Sequence, residues 1–154
     1  MKLSELLNER AIGVSLQAAT KDEVIKELVA ILEKAHGLKS GAEILKKVVE
    51  REAMASTGIG HGVAIPHGKA ASMRNLAAAT GISSRNIDFK SADGEPVTLF
   101  VLLVSPEDCT GPHVRALANI SKLLKEDSVR HQLKRSKSPH EFLEALKQAE
   151  ATYL

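Results

Sequence analysis

An imidazole near its ordinary pKa offers a free nitrogen lone pair at neutral pH, and this chain ends a glycine-rich run on one, His67. The run reads Arg51-Glu-Ala-Met-Ala-Ser-Thr-Gly-Ile-Gly-His-Gly-Val-Ala-Ile-Pro-His67-Gly-Lys69. Gly58, Gly60, Gly62 and Gly68 let a loop come close to a ligand, and Pro66 fixes one dihedral directly before His67. Three readings of His67 compete: a nucleophile or phosphoryl carrier, a metal ligand, and an ordinary polar residue at a strand end.

The known phosphate loops fail here. A nucleotide-triphosphate loop ending at Gly68-Lys69 needs Gly at 63 and Ser or Thr at 70, where Val63 and Ala70 stand. A dinucleotide fingerprint started from Gly58 and Gly60 fails at the same Val63. No Gly-x-Ser-x-Gly elbow presents a serine nucleophile. Zinc on His61, His67 and His113 is chemically allowed, but no His-x-x-x-His or cysteine pair fixes its geometry, and His61 reads as a loop residue. What remains is attack of a neutral imidazole on phosphorus, which asks the protein for positioning and for donors to the phosphoryl oxygens. Backbone N–H groups of the loop, including that of Gly68, and the hydroxyls of Ser56 and Thr57 are candidate donors. Arg51 adds charge, and His113 can orient His67 or donate to the phosphoryl group.

The elements that must position these groups read as follows. Leu3 to Leu7 forms a short helical turn and Ile12 to Leu16 a strand. Thr20-Lys-Asp-Glu23 is a capping box opening a helix with Val24, Leu28, Ile31, Leu32 and Ala35 on one face, closed by Gly37. Ser40-Gly-Ala-Glu43 reads as a second capping box, and its helix runs through Arg51 toward the glycine loop. At that helix's C-terminal end Arg51 also suits the negative end of the dipole. Asn75 to Ile82 reads as a buried strand. Ile87 to Phe89 and Val97 to Val104 flank an Asp93-Gly94 turn and read as an antiparallel hairpin. Val97 to Val104 is apolar at nearly every position, so it is a central strand covered on both faces by helices. Pro112 suits the first turn of a helix from about His113 to Lys125, whose buried stripe is His113, Leu117, Ile120 and Leu124. His113 is then either a group facing an anion at the helix N-terminus or a core-edge histidine bonded to backbone. Ser128 to Leu133 reads as a short helix, and Ser138-Pro-His-Glu141 caps a last one carrying Phe142, Leu143 and Leu146.

Composition narrows the class. The 154 residues suit one domain, with no linker or repeat, and 44% apolar residues suffice for a core without disulfides. Aromatics are 3%, too few for a base-stacking platform, and the net charge of +2 gives a weak field, so nucleic acid is not an expected partner. The basic run Arg130 to Lys137 reads as the solvated face of a helix. The single Cys109 reads as a small loop residue and excludes an internal disulfide. With no signal peptide and no apolar span, a cytoplasmic protein not embedded in a membrane is expected.

These residues carry a likeness. Glu52 and the stretch Ile59-Gly60-His61-Gly62-Val63-Ala64-Ile65-Pro66-His67-Gly68 resemble the phosphohistidine signature of the fructose/mannitol-type enzyme IIA domains of the bacterial phosphoenolpyruvate-dependent phosphotransferase system. The resemblance extends through Arg51 and Ser56-Thr57-Gly58 upstream, and through Asp93-Gly-Glu-Pro-Val97 and His113 downstream. It implies a mixed β-sheet with helices on both faces. It implies also that His67 accepts a phosphoryl group from an HPr- or NPr-type phosphocarrier, with His113 and Arg51 in the active site and neither metal nor nucleotide required. Length and the short N-terminal helix resemble the nitrogen-regulatory branch, in which a potassium transporter or sensor kinase is the kind of partner to expect. A sugar-specific member would instead pass the group to a IIB domain. A departure stands at Arg115, where nitrogen-branch members often carry another histidine.

Overall fold

A computed structural model describes residues 1–154. Short 3-10 turns at Leu3–Leu6 and Glu9–Ala11 lead into strand β1 (Ile12–Leu16) and helices α1 (Lys21–His36) and α2 (Gly41–Met54). Three short strands follow, β2 (Gly58–Gly60), β3 (Val63–Ala64) and β4 (His67–Lys69), then two long ones, β5 (Ala77–Ile87) and β6 (Val97–Ser105). Helices α3 (Thr110–Leu124), α4 (Asp127–Lys134) and α5 (Pro139–Tyr153) close the chain.

The strands form one sheet in the order β1-β5-β6-β3-β2, with β4 also beside β6. β1 runs parallel to β5, and β3 and β4 parallel to β6, whereas β5–β6 and β2–β3 are antiparallel. The sheet is therefore mixed, as expected. Ala77 to Ser83 are all buried, and so is every β6 residue except Thr98. Successive strand residues face opposite sides, so burial of all of them means both faces are covered. α1 packs on α2 and on β5, α2 on β4, and α3, α4 and α5 pack on one another with α5 reaching β1.

Local chemistry sets the helix ends. The Thr20 hydroxyl accepts the Glu23 N–H at 3.3 Å, and Gly37 ends α1 at φ 65°. Ser138 likewise accepts the Glu141 N–H at 3.1 Å. The expected box at Ser40 is not formed. Glu33 of α1 overhangs the short connection and takes the Gly41 N–H at 2.7 Å, while the Ser40 and Ser72 hydroxyls bond each other at 2.9 Å.

Other expectations shift. The glycine run is three short strands, held by pairing with β6 and with each other. Ile87 to Phe89 is no separate strand: Ile87 ends β5, and Ser84 to Asn86 bulge outward, because five steps on β5 match two on β6 between the pairs Ile82–Leu99 and Ile87–Val97. α3 starts at Thr110, a turn earlier than expected. Arg130 is buried, its Nη1 donating to the Leu124 carbonyl at 2.8 Å, so this member of the basic run caps α3 and does not lie on a solvated face.

Candidate active site

β6 carries the framework of the site. β3 and β4 lie end to end along it, paired at Leu99–Phe100 and at Leu103–Ser105, and Ile65-Pro66 fill the gap between them. Pro66 has no N–H to give a ladder, but its carbonyl accepts the Leu103 N–H at 3.1 Å, which holds the chain in line. The Ile65 carbonyl lies 2.8 Å from Nδ1 of His67. A carbonyl only accepts, so Nδ1 carries the proton and the neutral ring keeps its lone pair on Nε2. Burial holds the His67 pKa below its ordinary value, helped by the Arg51 charge and opposed by the Ile65 bond and Glu52. The ring is therefore neutral at pH 7.

β6 leads through Pro106 to Cys109 into α3, whose first turn carries His113. His113 is 5% exposed, and its ring centre is 5.4 Å from that of His67, the planes tilted by 60°. Burial, with the charges of His67 and Lys69, lowers its pKa to about 4. The Ser105 hydroxyl, at the end of β6, hydrogen-bonds its Nδ1.

Arg51 sits in the last turn of α2 and donates from Nη1 to the Ala55 carbonyl at 2.9 Å. It thus fills the helix-end role while its charge is felt at His67. Next to it, the buried Glu52 accepts the Thr57 N–H at 2.9 Å and the Thr57 hydroxyl, and pairs with Lys21 at 2.8 Å. The Ser56 hydroxyl donates to the Phe89 carbonyl at 2.9 Å and accepts the Gly58 N–H at 3.1 Å. Both hydroxyl protons expected at the phosphoryl group are thus committed elsewhere, and Ser56 and Thr57 fix the α2–β2 connection. Gly68 serves packing: a Cβ there would meet the Val48 nitrogen and Cγ2 at 3.2 Å, so its absence lets α2 lie close on β4.

His61 stands apart at an exposed turn with φ 58°, its N–H donated to Asp93 at 3.2 Å. No three His, Cys, Asp or Glu side chains gather in an arrangement able to hold a metal. Cys109 precedes α3, and desolvation and Asp108 push its thiol pKa up, the opposite of an activated nucleophile. Two site residues escaped the sequence reading. Lys69 sits two residues after His67 on β4, hence on the same side of the strand, and donates to the Thr110 hydroxyl at 2.8 Å. Reading β4 as a strand instead of a loop is the signal that finds it. Ser105 has no local signal at all.

The mixed-sheet fold is shared with known proteins. The chain is 34% identical to a nitrogen regulatory protein of Bradyrhizobium diazoefficiens over 89% of each chain. It is 36% identical to the fructose-specific EIIABC component of Bacillus subtilis over 96% of its own length, but spans 23% of that larger protein. The crystal structure of the nitrogen regulatory protein IIA-Ntr from Neisseria meningitidis superposes with a TM-score of 0.86 at 31% identity, covering 93% of this chain and 97% of that one. The mannitol IIA structure from Escherichia coli, at 23% identity, shares the fold with a TM-score of 0.78 over 91% and 98% of the two chains. The class is that of phosphotransferase components. More narrowly, the chain belongs to the family "Phosphoenolpyruvate-dependent sugar phosphotransferase system, EIIA 2", which its residues 5–149 match.

Proposed function

We propose that residues 1–154 act as one cytoplasmic phosphohistidine carrier, loaded on Nε2 of His67 by an HPr- or NPr-type phosphocarrier. The observation that carries this reading is the bond from Nδ1 of His67 to the Ile65 carbonyl, which leaves the ring's free lone pair on Nε2. In the step, that lone pair forms a new P–N bond as the donor's P–N bond breaks, and the electron pair of the broken bond returns to the donor imidazole. The Nδ1 proton stays on His67, where its bond to Ile65 strengthens as the ring gains positive character. Arg51 supplies charge and His113 a hydrogen bond to the phosphoryl oxygens, and backbone N–H groups near Gly68 take the place of the committed Ser56 and Thr57 hydroxyls.

A nitrogen-regulatory role is favoured because the chain matches such a relative over 89% of that protein's length. The partner then senses the charge placed on His67, and a potassium transporter or sensor kinase fits that logic. A sugar-specific carrier handing its phosphoryl group to a IIB domain is the second reading, supported by the 36% identity to the fructose component. A purely regulatory module that binds without transfer is the third. Intact mass after incubation with phosphoenolpyruvate, enzyme I and either HPr or its nitrogen-branch counterpart tests the carrier. Wild type should gain one acid-labile phosphoryl group and His67→Ala none. Equal gain in both proteins refutes the assignment, and the faster donor set indicates the branch.

A further inference from the structure

Two imidazoles with ring centres 5.4 Å apart share one site, and the carrier reading gives the phosphoryl group to only one of them. We propose that Ser105 is the positioning residue behind that choice: its hydroxyl donates to Nδ1 of His113, fixes the ring proton on Nε2, and leaves His113 a donor without a free lone pair.

Ser105 is wholly buried at the end of β6, and Nδ1 of His113 is the sole hydrogen-bond partner of its Oγ. If His113 donated from Nδ1, the serine proton would be left in the protein interior without an acceptor. An orphaned buried donor is costly enough to disfavour that tautomer by roughly tenfold or more. The remaining possibility, a doubly protonated ring, is opposed by its burial and by the cations facing it. These are Lys69, held in place by Thr110 at 2.8 Å, and His67 whenever it is protonated. His67 shows the opposite pattern, with Nδ1 donating to a carbonyl and Nε2 bare. The two rings thus hold complementary tautomers, one presenting a lone pair and the other an N–H. β6 and the β3–β4 connection beside it impose both, through Ser105 on one and Ile65 on the other.

The inference rests on the carrier reading for its purpose but is tested separately from it. Two-bond proton–nitrogen correlation spectra of histidine-labelled protein near neutral pH report each tautomer directly. Wild type should show His113 protonated on Nε2 and His67 on Nδ1. A His113 protonated on Nδ1 overturns the proposal, whether or not any variant folds. Ser105→Ala should move His113 toward the Nδ1 tautomer and slow phosphoryl transfer roughly tenfold, and Ser105→Thr, which keeps a hydroxyl, should restore both. An unchanged His113 tautomer in folded Ser105→Ala likewise overturns it. If wild type takes no phosphoryl group from either donor set, the carrier reading fails while the tautomers are still read from the same sample.

Discussion

The Nδ1 proton of His67 and the burial of His113 are features of single side chains with measurable consequences for pH. Protonation of His113 is displaced from 6.5 to about 4 in the folded protein. As pH falls below the ordinary histidine value, the unfolded chain takes up a proton at this position and the native chain does not. The native state then binds fewer protons, so its stability declines from about pH 6.5 down to about 4. His67, which faces His113 and is lowered too, contributes in the same direction, and Lys69 adds the standing positive charge that opposes protonation. Thermal midpoints measured across this range should fall for wild type more steeply than for His113→Gln, and parallel curves would contradict the account. His67, His113 and Arg51 were legible as residue types in sequence. The competing commitments of Ser56 and Thr57 were not, because the Phe89 carbonyl reaches Ser56 only through tertiary packing and the Glu52 bond to Thr57 depends on how the chain turns after α2.

Among the elements, α2 and β4 make the closest approach that matters to the site. Gly68→Ala would set a methyl 3.2 Å from the Val48 nitrogen and 3.3 Å from the Lys47 carbonyl carbon, backbone atoms that move only with the helix. Displacing α2 also displaces Arg51. Urea unfolding should show a loss of about 1–3 kcal/mol, accompanied by slower phosphoryl transfer, and full stability with full activity would exclude this role for the contact. Elements with local instructions were readable: α1 and α5 carry their own serine or threonine caps, and α1 its terminating glycine. The start of α2 was misread because Ser72, far along the chain, engages both side chains of the expected box, the Ser40 hydroxyl and the Glu43 carboxylate. Strands β2, β3 and β4 span two or three residues each, too short to show a period, and exist through partners that the sequence does not reveal.

At the scale of the molecule, the apolar run of β6, broken only at Thr98, announced a strand buried on both faces, and with it a sheet sandwiched by helices. The strand order, and the placing of β3 and β4 end to end on β6, depend on long-range pairing with no sequence mark. That arrangement opens the gap at Ile65-Pro66 and leaves the Ile65 carbonyl to hold Nδ1 of His67, so the fold and the proposed chemistry meet in one hydrogen bond. Its most direct test is nitrogen correlation spectroscopy of the phosphorylated protein. The account predicts phosphorus bonded to Nε2 of His67 with the proton retained on Nδ1. Phosphorus on Nδ1, or on any other residue, would contradict it.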